Sequence, residues 1–221
     1  MNPEIFVVSA WWPECSALAQ LCGATSMQPL TAGQWVFCPQ KKAVLLCTGI
    51  GAVAAAVAVS RVLAEFKNIS QVLFCGTAGH YNPEIEMERV FYSTESFCSD
   101  AGIMLEKSYF PPHRAKAQSL LSDSFLNAAL TKNAQSAKCL TVPSITETSD
   151  LALLFSKWAE LEHLEFHGMA SAAHAFQKKW AGFFGVSNTV GPKAHVQWKC
   201  AHEGASLASQ TALYAAIFGG G

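Results

Sequence analysis

Four short runs of almost uninterrupted apolar residues recur along the chain: IFVV within residues 4–9, AVLLC at 43–47, QVLFC at 71–75 and FFGV at 183–186. A strand with one wet face alternates apolar and polar residues. These runs do not, so they fit strands covered on both faces. Covering two faces needs helices above and below. The intervening stretches provide them, above all the alanine-rich residues 52–66, residues 168–176 and residues 203–218. Alternating strands and helices make the chain an α/β protein with a sheet packed on both sides. At 221 residues, 51% hydrophobic and only 14% charged, residues 1–221 fit one domain with a large core and buried interfaces.

The same composition excludes several functions. A net charge of −1 with three arginines (Arg61, Arg89, Arg114) gives no surface for nucleic acid or an anionic membrane. No apolar run is long enough to span a bilayer, and the start, MNPEIFVVSAWWPE, lacks the basic leader of a signal peptide. The eight cysteines form no close CxxC pair. That spacing argues against a metal site or a disulfide framework, and buried free thiols fit a reducing cytosol.

The chain reads in order as follows. Residues 4–9 form a first strand, and Pro13 stands in the first turn of a helix that follows. Glu14 then lies near a helix start, where a carboxylate is favoured, though it equally serves as an ordinary first-turn residue. Trp11 and Trp12 fit either core or the wall of an apolar pocket. Residues 34–38 and 43–47 pair as a hairpin. Next, TGIGAVAAA carries Gly49 and Gly51 into a small-residue helix; this is a tight turn or an anion cradle, but not the dinucleotide fingerprint, whose third glycine is missing. Residues 71–75 form a strand ending in GTAGH, where glycines offer a main-chain edge to a flat ring. A strand at 89–94, an irregular stretch at 95–118, a helix at 120–130, a strand at 139–142, a polar loop at 144–150 and a helix at 151–159 follow. Glu165 stands just before the helix at 168–176, and the strand at 183–186 ends in Ser187 and Asn188. Such a pair at a strand's carboxyl end is placed to face a ligand, although Ser and Asn also simply end strands. His167 and His174 are read as surface or helix-capping residues.

Taken together, VVSAWWPE, TGIGAVAAA, GTAGH, LE at 164–165 and VSN at 186–188 resemble the nucleoside phosphorylase superfamily. The nearest likeness is to its nucleosidase branch. That branch holds methylthioadenosine/S-adenosylhomocysteine nucleosidases and the futalosine and aminodeoxyfutalosine hydrolases of menaquinone synthesis. The resemblance implies a central twisted mixed β-sheet flanked by helices on both sides. It makes Glu14 the carboxylate that activates water and Glu165 the one that grips the ribose hydroxyls. Asn188 faces the base beside Ser187, and Leu164 takes the place of a methionine against the sugar. Ile50, Gly76, Thr77, Ile145 and Thr146 line the pocket by the same alignment.

No arginine lies in these motifs, so hydrolysis is expected over phosphorolysis. Asn donates to purine N7 and a 6-oxo group but carries no acidic proton. Futalosine therefore ranks first, aminodeoxyfutalosine second and methylthioadenosine third. The departures are Leu164, Phe166, His167 and Phe184, which leave an inactive nucleoside-binding protein as a second reading. The resemblance also implies a homodimer acting on a purine nucleoside and water; the start of the chain and its cysteines point to the cytoplasm, and no cofactor or metal is expected.

Overall fold

A computed structural model describes residues 1–105, 107, 118–121 and 134–219. Its centre is a mixed sheet in which β3 (Ala43–Cys47), β1 (Ile5–Ser9), β4 (Gln71–His80) and β11 (Lys179–Thr189) run parallel. β2 (Trp35–Cys38) closes one edge as the antiparallel partner of β3. On the other side the sheet divides at β4. One branch runs through β10 (Leu161–His163), β9 (Cys139–Thr141), β6 (Glu95–Cys98) and β7 (Gln118–Leu121). The second runs through β11, β5 (Val90–Ser93) and β8 (Gln135–Ser136). The far end of β4 is thus flanked by two strands that diverge, and a concavity opens between them.

The uninterrupted apolar runs behave as their composition dictates. In β1, Phe6 and Val8 point into one core while Val7 points into the other. Val72 and Phe74 of β4 divide from Leu73 and Cys75 in the same way, as do Phe184 and Phe183 of β11. The first core is roofed by α2 (Ala52–Glu65) and α5 (Phe166–Ala175), the second by α1 (Ser16–Leu21) and α6 (Ala194–Phe218). Small residues let α2 and α5 approach closely: a Cβ on Gly168 would lie 1.9 Å from the Ala52 carbonyl oxygen.

Several boundaries differ from the sequence reading. β4 does not stop at Cys75 but continues through GTAGH to His80, because β11 pairs with it residue for residue. β11 likewise runs past Val186 to Thr189, with a register shift between Val186 and Asn188. Such a bulge re-aims side chains. The stretch at 95–118 holds β6 and the short α3 (Ala101–Met104), and Gln118 begins β7. The helix expected at 120–130 gives way to β7 at Leu120 and Leu121, and its remainder falls outside the described residues. α4 spans Ser149–Phe155 because Thr148 caps it, its hydroxyl accepting from the Leu151 N–H. α6 begins nine residues before Glu203, at Ala194. No helix among the described residues is long and apolar enough to cross a membrane.

Candidate active site

A cavity of about 390 Å3 opens where β4, β10 and β11 diverge. That size suits a small organic ligand. Its wall contains Glu14, Thr77, Leu164, Glu165, Ser187 and Asn188, with Ile50 and Ile145 at the rim. Eight of the ten residues singled out in the sequence therefore meet at one place. The other two stand behind it. Gly76 does not touch the cavity; it makes room for Glu14, since a Cβ there would lie 3.1 Å from Glu14 Oε2. Thr146 is buried behind the rim and donates to Glu162 through its N–H (3.0 Å) and hydroxyl (2.6 Å).

Glu14 ends a single 3-10 turn, Trp12–Glu14, that follows β1. No helix start holds its carboxyl, contrary to the sequence expectation; α1 begins only at Ser16 and is six residues long. Instead Oε1 accepts from the Thr77 N–H at 3.0 Å and the Thr77 hydroxyl at 2.9 Å. Oε2 is buried and has no partner among the described residues. Burial raises the Glu14 carboxyl from its ordinary 4.5 to about 7, against the pull of the two Thr77 hydrogen bonds.

Glu165 sits at the N-cap of α5, yet its carboxyl does not cap that helix. Oε1 accepts from the Gly51 N–H at 2.7 Å, so the loop before α2 is tied to the site. Gly51 has φ +99°, a conformation that favours glycine. Burial first, and the charge of Glu14 second, hold the Glu165 carboxyl at about 7.

Asn188 follows the bulge in β11. The Ser187 hydroxyl donates to its Oδ1 at 2.9 Å, and its Nδ2 donates to the Thr189 carbonyl at 3.3 Å. A carbonyl only accepts, so the amide is oriented with its NH2 on that side. One of its two N–H groups is left for a ligand. The neighbouring β4 comes close at Gly79, where a Cβ would meet Nδ2 at 2.8 Å.

The remaining lining residues are not singled out one by one in the sequence as site residues, although Ala10, Ala78 and Gly79 fall within the motifs VVSAWWPE and GTAGH. Ala10, Ala78 and Gly79 supply backbone, and Glu162, His163, His195 and Trp198 supply side chains. Glu162 is the second carboxyl of β10; burial raises it, and Thr146 and the Tyr81 hydroxyl (2.9 Å) bind it. At the mouth, α6 presents His195, Trp198 and His202 on one face. The rings stack in sequence, 6.0 Å from His195 to Trp198 and 4.6 Å from Trp198 to His202. Trp11 closes the group, 6.0 Å from Trp198 and 5.8 Å from His202, so it is wall and not core. His167, read as a surface or capping residue, is buried; its Nδ1 lies 3.0 Å from the Ser96 hydroxyl. His174 is exposed in the last turn of α5.

Among the described residues, then, the cavity holds three carboxyl groups and no lysine or arginine. It favours positive charge and offers an anion no lysine or arginine from the described residues.

The family model of the phosphorylase superfamily matches residues 4–217. The chain belongs to this superfamily. Solved structures show the phosphorylase-superfamily fold throughout. The 5′-methylthioadenosine/S-adenosylhomocysteine nucleosidase of Helicobacter pylori, bound to butyl-thio-DADMe-Immucillin-A, is 16% identical with a TM-score of 0.83, and 98% of each chain is covered. The futalosine hydrolase of the same organism gives 16% identity, a TM-score of 0.83 and 98% coverage of each chain. The 5′-methylthioadenosine/S-adenosylhomocysteine nucleosidase of Neisseria meningitidis, in complex with methylthio-immucillin-A, gives 18% identity, a TM-score of 0.81 and coverage of 96% and 97%. At such identities the likeness is one of fold. Among curated proteins, none matches this member of the superfamily by sequence.

Proposed function

We propose that this protein is a purine nucleoside hydrolase that cleaves the N-glycosidic bond with water. The observation that carries the proposal is the pair of buried carboxyls, Glu14 and Glu165, in a cavity whose described residues include no lysine or arginine. Cleavage passes through an oxocarbenium-like sugar, and a cavity walled by carboxyls stabilises that positive charge. Phosphorolysis would need cations to hold phosphate, and no lysine or arginine is among the described residues of the wall. Glu14 is the base: Oε1 is anchored by Thr77, Oε2 is unpartnered, and a carboxyl near 7 is matched to proton abstraction at neutral pH. Glu165 holds the ribose hydroxyls. Leu164 and Ile50 pack against the sugar, while Thr77, Ile145 and the Ser187–Asn188 pair border the base.

Futalosine or 6-amino-6-deoxyfutalosine is the proposed substrate, with methylthioadenosine or S-adenosylhomocysteine as the alternative. Two features favour the first reading. The free N–H of Asn188 Nδ2 suits N7 and a 6-oxo group, and the stacked rings of Trp11, His195 and Trp198 suit the flat carboxyphenyl group that futalosine carries at its 5′ end. We expect Asn188→Asp to shift the kcat/KM ratio of 6-amino to 6-oxo nucleosides upward by about tenfold, the worth of one hydrogen bond to a charged group. Base release from matched nucleoside pairs measures it, and an unchanged ratio removes Asn188 from base selection.

The working form is proposed to be a homodimer in the cytoplasm. Ile50, Val53 and Val57 leave 75%, 79% and 57% of their surfaces exposed on one side of α2, an apolar face beside the cavity rim. The free thiols of Cys15, Cys22, Cys38, Cys47, Cys75 and Cys139, all buried, fit a reducing compartment. Val53→Glu is expected to halve the mass measured by light scattering; an unchanged mass would place any subunit contact elsewhere.

A further inference from the structure

His163 ends β10, two residues before Glu165, with its ring wedged between Phe74 (centroids 4.7 Å apart) and Phe184 (5.1 Å). Its Nδ1 accepts two backbone hydrogen bonds, from the Glu165 N–H at 3.0 Å and the Phe166 N–H at 3.2 Å. A nitrogen that accepts carries no proton. The ring is therefore the neutral Nε2–H tautomer, and burial, which pushes its pKa down to about 3, keeps it so.

The same Nδ1 stands 3.2 Å from Glu165 Oε2. This contact is not an ion pair, because His163 is uncharged. An ionised Glu165 would set a negative oxygen against the acceptor side of the imidazole, where the Glu165 and Phe166 N–H groups that could have faced it are taken up by Nδ1; a protonated Glu165 brings no such charge. Oε1 is committed to the Gly51 N–H, so Oε2 is the oxygen on which the proton resides. Three backbone amides around the Glu165 carboxyl, those of Gly51, Leu164 and Glu165, favour its ionised form; the other groups oppose it or stand aside. Glu14, from the turn after β1, adds negative charge; Glu162, on β10, is turned onto Thr146 and Tyr81. His167, next along α5, is bound to Ser96, and α2 contributes only the Gly51 amide.

We propose that His163 is a positioning residue that sets the protonation of Glu165: in the unliganded protein its Nδ1 draws the Glu165 and Phe166 N–H groups away from the carboxyl, which keeps its proton, and a ligand with two adjacent hydroxyls supplies the hydrogen bonds that ionise it. On binding, the Glu165 proton passes to solvent and the carboxylate accepts both ligand hydroxyls. Binding and proton release are thereby linked at one carboxyl. The proton balance concerns the protein alone; only the identity of the diol rests on the nucleoside reading.

The test follows the Glu165 carboxyl directly. In protein labelled with carbon-13 at the glutamate carboxyl, Glu165 is identified by its loss in Glu165→Gln and titrated by NMR in three proteins. We expect a midpoint near 7 in the parent chain. In His163→Phe the ring volume stays but the lone pair goes, freeing two backbone N–H groups to face the carboxylate, and the midpoint falls by about one pH unit, a tenfold change in ionisation. In His163→Asn the side-chain oxygen still accepts from those N–H groups, and the midpoint stays within a few tenths. Circular dichroism establishes that each variant is folded; should His163→Phe not fold, His163→Leu takes its place. An unmoved midpoint in the lone-pair-free variant overturns the proposal. A parent chain that titrates as expected yet releases no base from any nucleoside overturns the hydrolase reading instead, so the two failures are distinct.

Discussion

Glu14→Gln is expected to lower kcat by about a thousandfold, within the range of general-base effects, while nucleoside affinity changes only a few-fold. Glutamine keeps the size and the acceptor that Thr77 binds, but it cannot take a proton from water. The loss therefore falls on the chemical step and not on the ground state. The parent enzyme should lose activity below about pH 7, as Glu14 becomes protonated.

The same substitution has a second readout in stability. Burial raises the Glu14 carboxyl from 4.5 to about 7, so between those values the folded chain holds a proton that the unfolded chain has lost. Its contribution is fully present below pH 4.5 and disappears as the pH rises through 7, roughly 3 kcal/mol over that window. Glu14→Gln has no titrating group at position 14 and should lessen the fall in melting temperature between pH 5 and pH 8, leaving the part that Glu165 contributes. A variant with parent-like kcat, or with the same pH dependence of stability, contradicts the role and the environment assigned to Glu14.

Glu165→Ala is expected to lower kcat/KM by about 10²- to 10⁴-fold, from the loss of two charge-assisted hydrogen bonds to ribose at roughly 1.5–3 kcal/mol each. Glu165→Gln should lose less, since it still accepts one bond without the charge. Part of either loss arises in the protein, because the Gly51 N–H gives up its partner. Deoxynucleosides separate the two contributions. The parent enzyme should penalise removal of a ribose hydroxyl strongly and Glu165→Ala hardly at all. Equal penalties in both proteins would show that the sugar is held elsewhere.

The chain declares its sheet more plainly than its site. β1, β3 and the first half of β4 are legible because strands buried on both faces must be continuously apolar. The second half of β4 is not, because GTAGH has turn composition; its glycines are there for the Glu14 carboxyl at Gly76 and for Asn188 at Gly79. β10 is three residues, Leu-Glu-His, and becomes a strand only through pairing with β9 and the end of β4.

The same distinction runs through the cavity. Glu14, Glu165, Ser187 and Asn188 stand at element ends where composition breaks, and five short motifs in order tie them together. Glu162 and His163 carry no local mark, since their significance lies in partners distant in sequence: Tyr81 for one, Phe74 for the other. Trp198 and His195 stand in the first turns of α6, ahead of the helix start read from the sequence at residue 203, because their bulky neighbours do not show the small-residue pattern of α2 and α5. His167 was misread because its burial depends on β6 and Ser96, far from it in the chain.

Hydrolysis is tested most directly by incubating the full chain with futalosine in phosphate-free buffer and again with added phosphate, then identifying base and sugar by chromatography. We expect hypoxanthine and the free sugar at the same rate in both. A sugar 1-phosphate, or base release that requires phosphate, would contradict the reading of the cavity as a hydrolytic site and make this protein a phosphorylase.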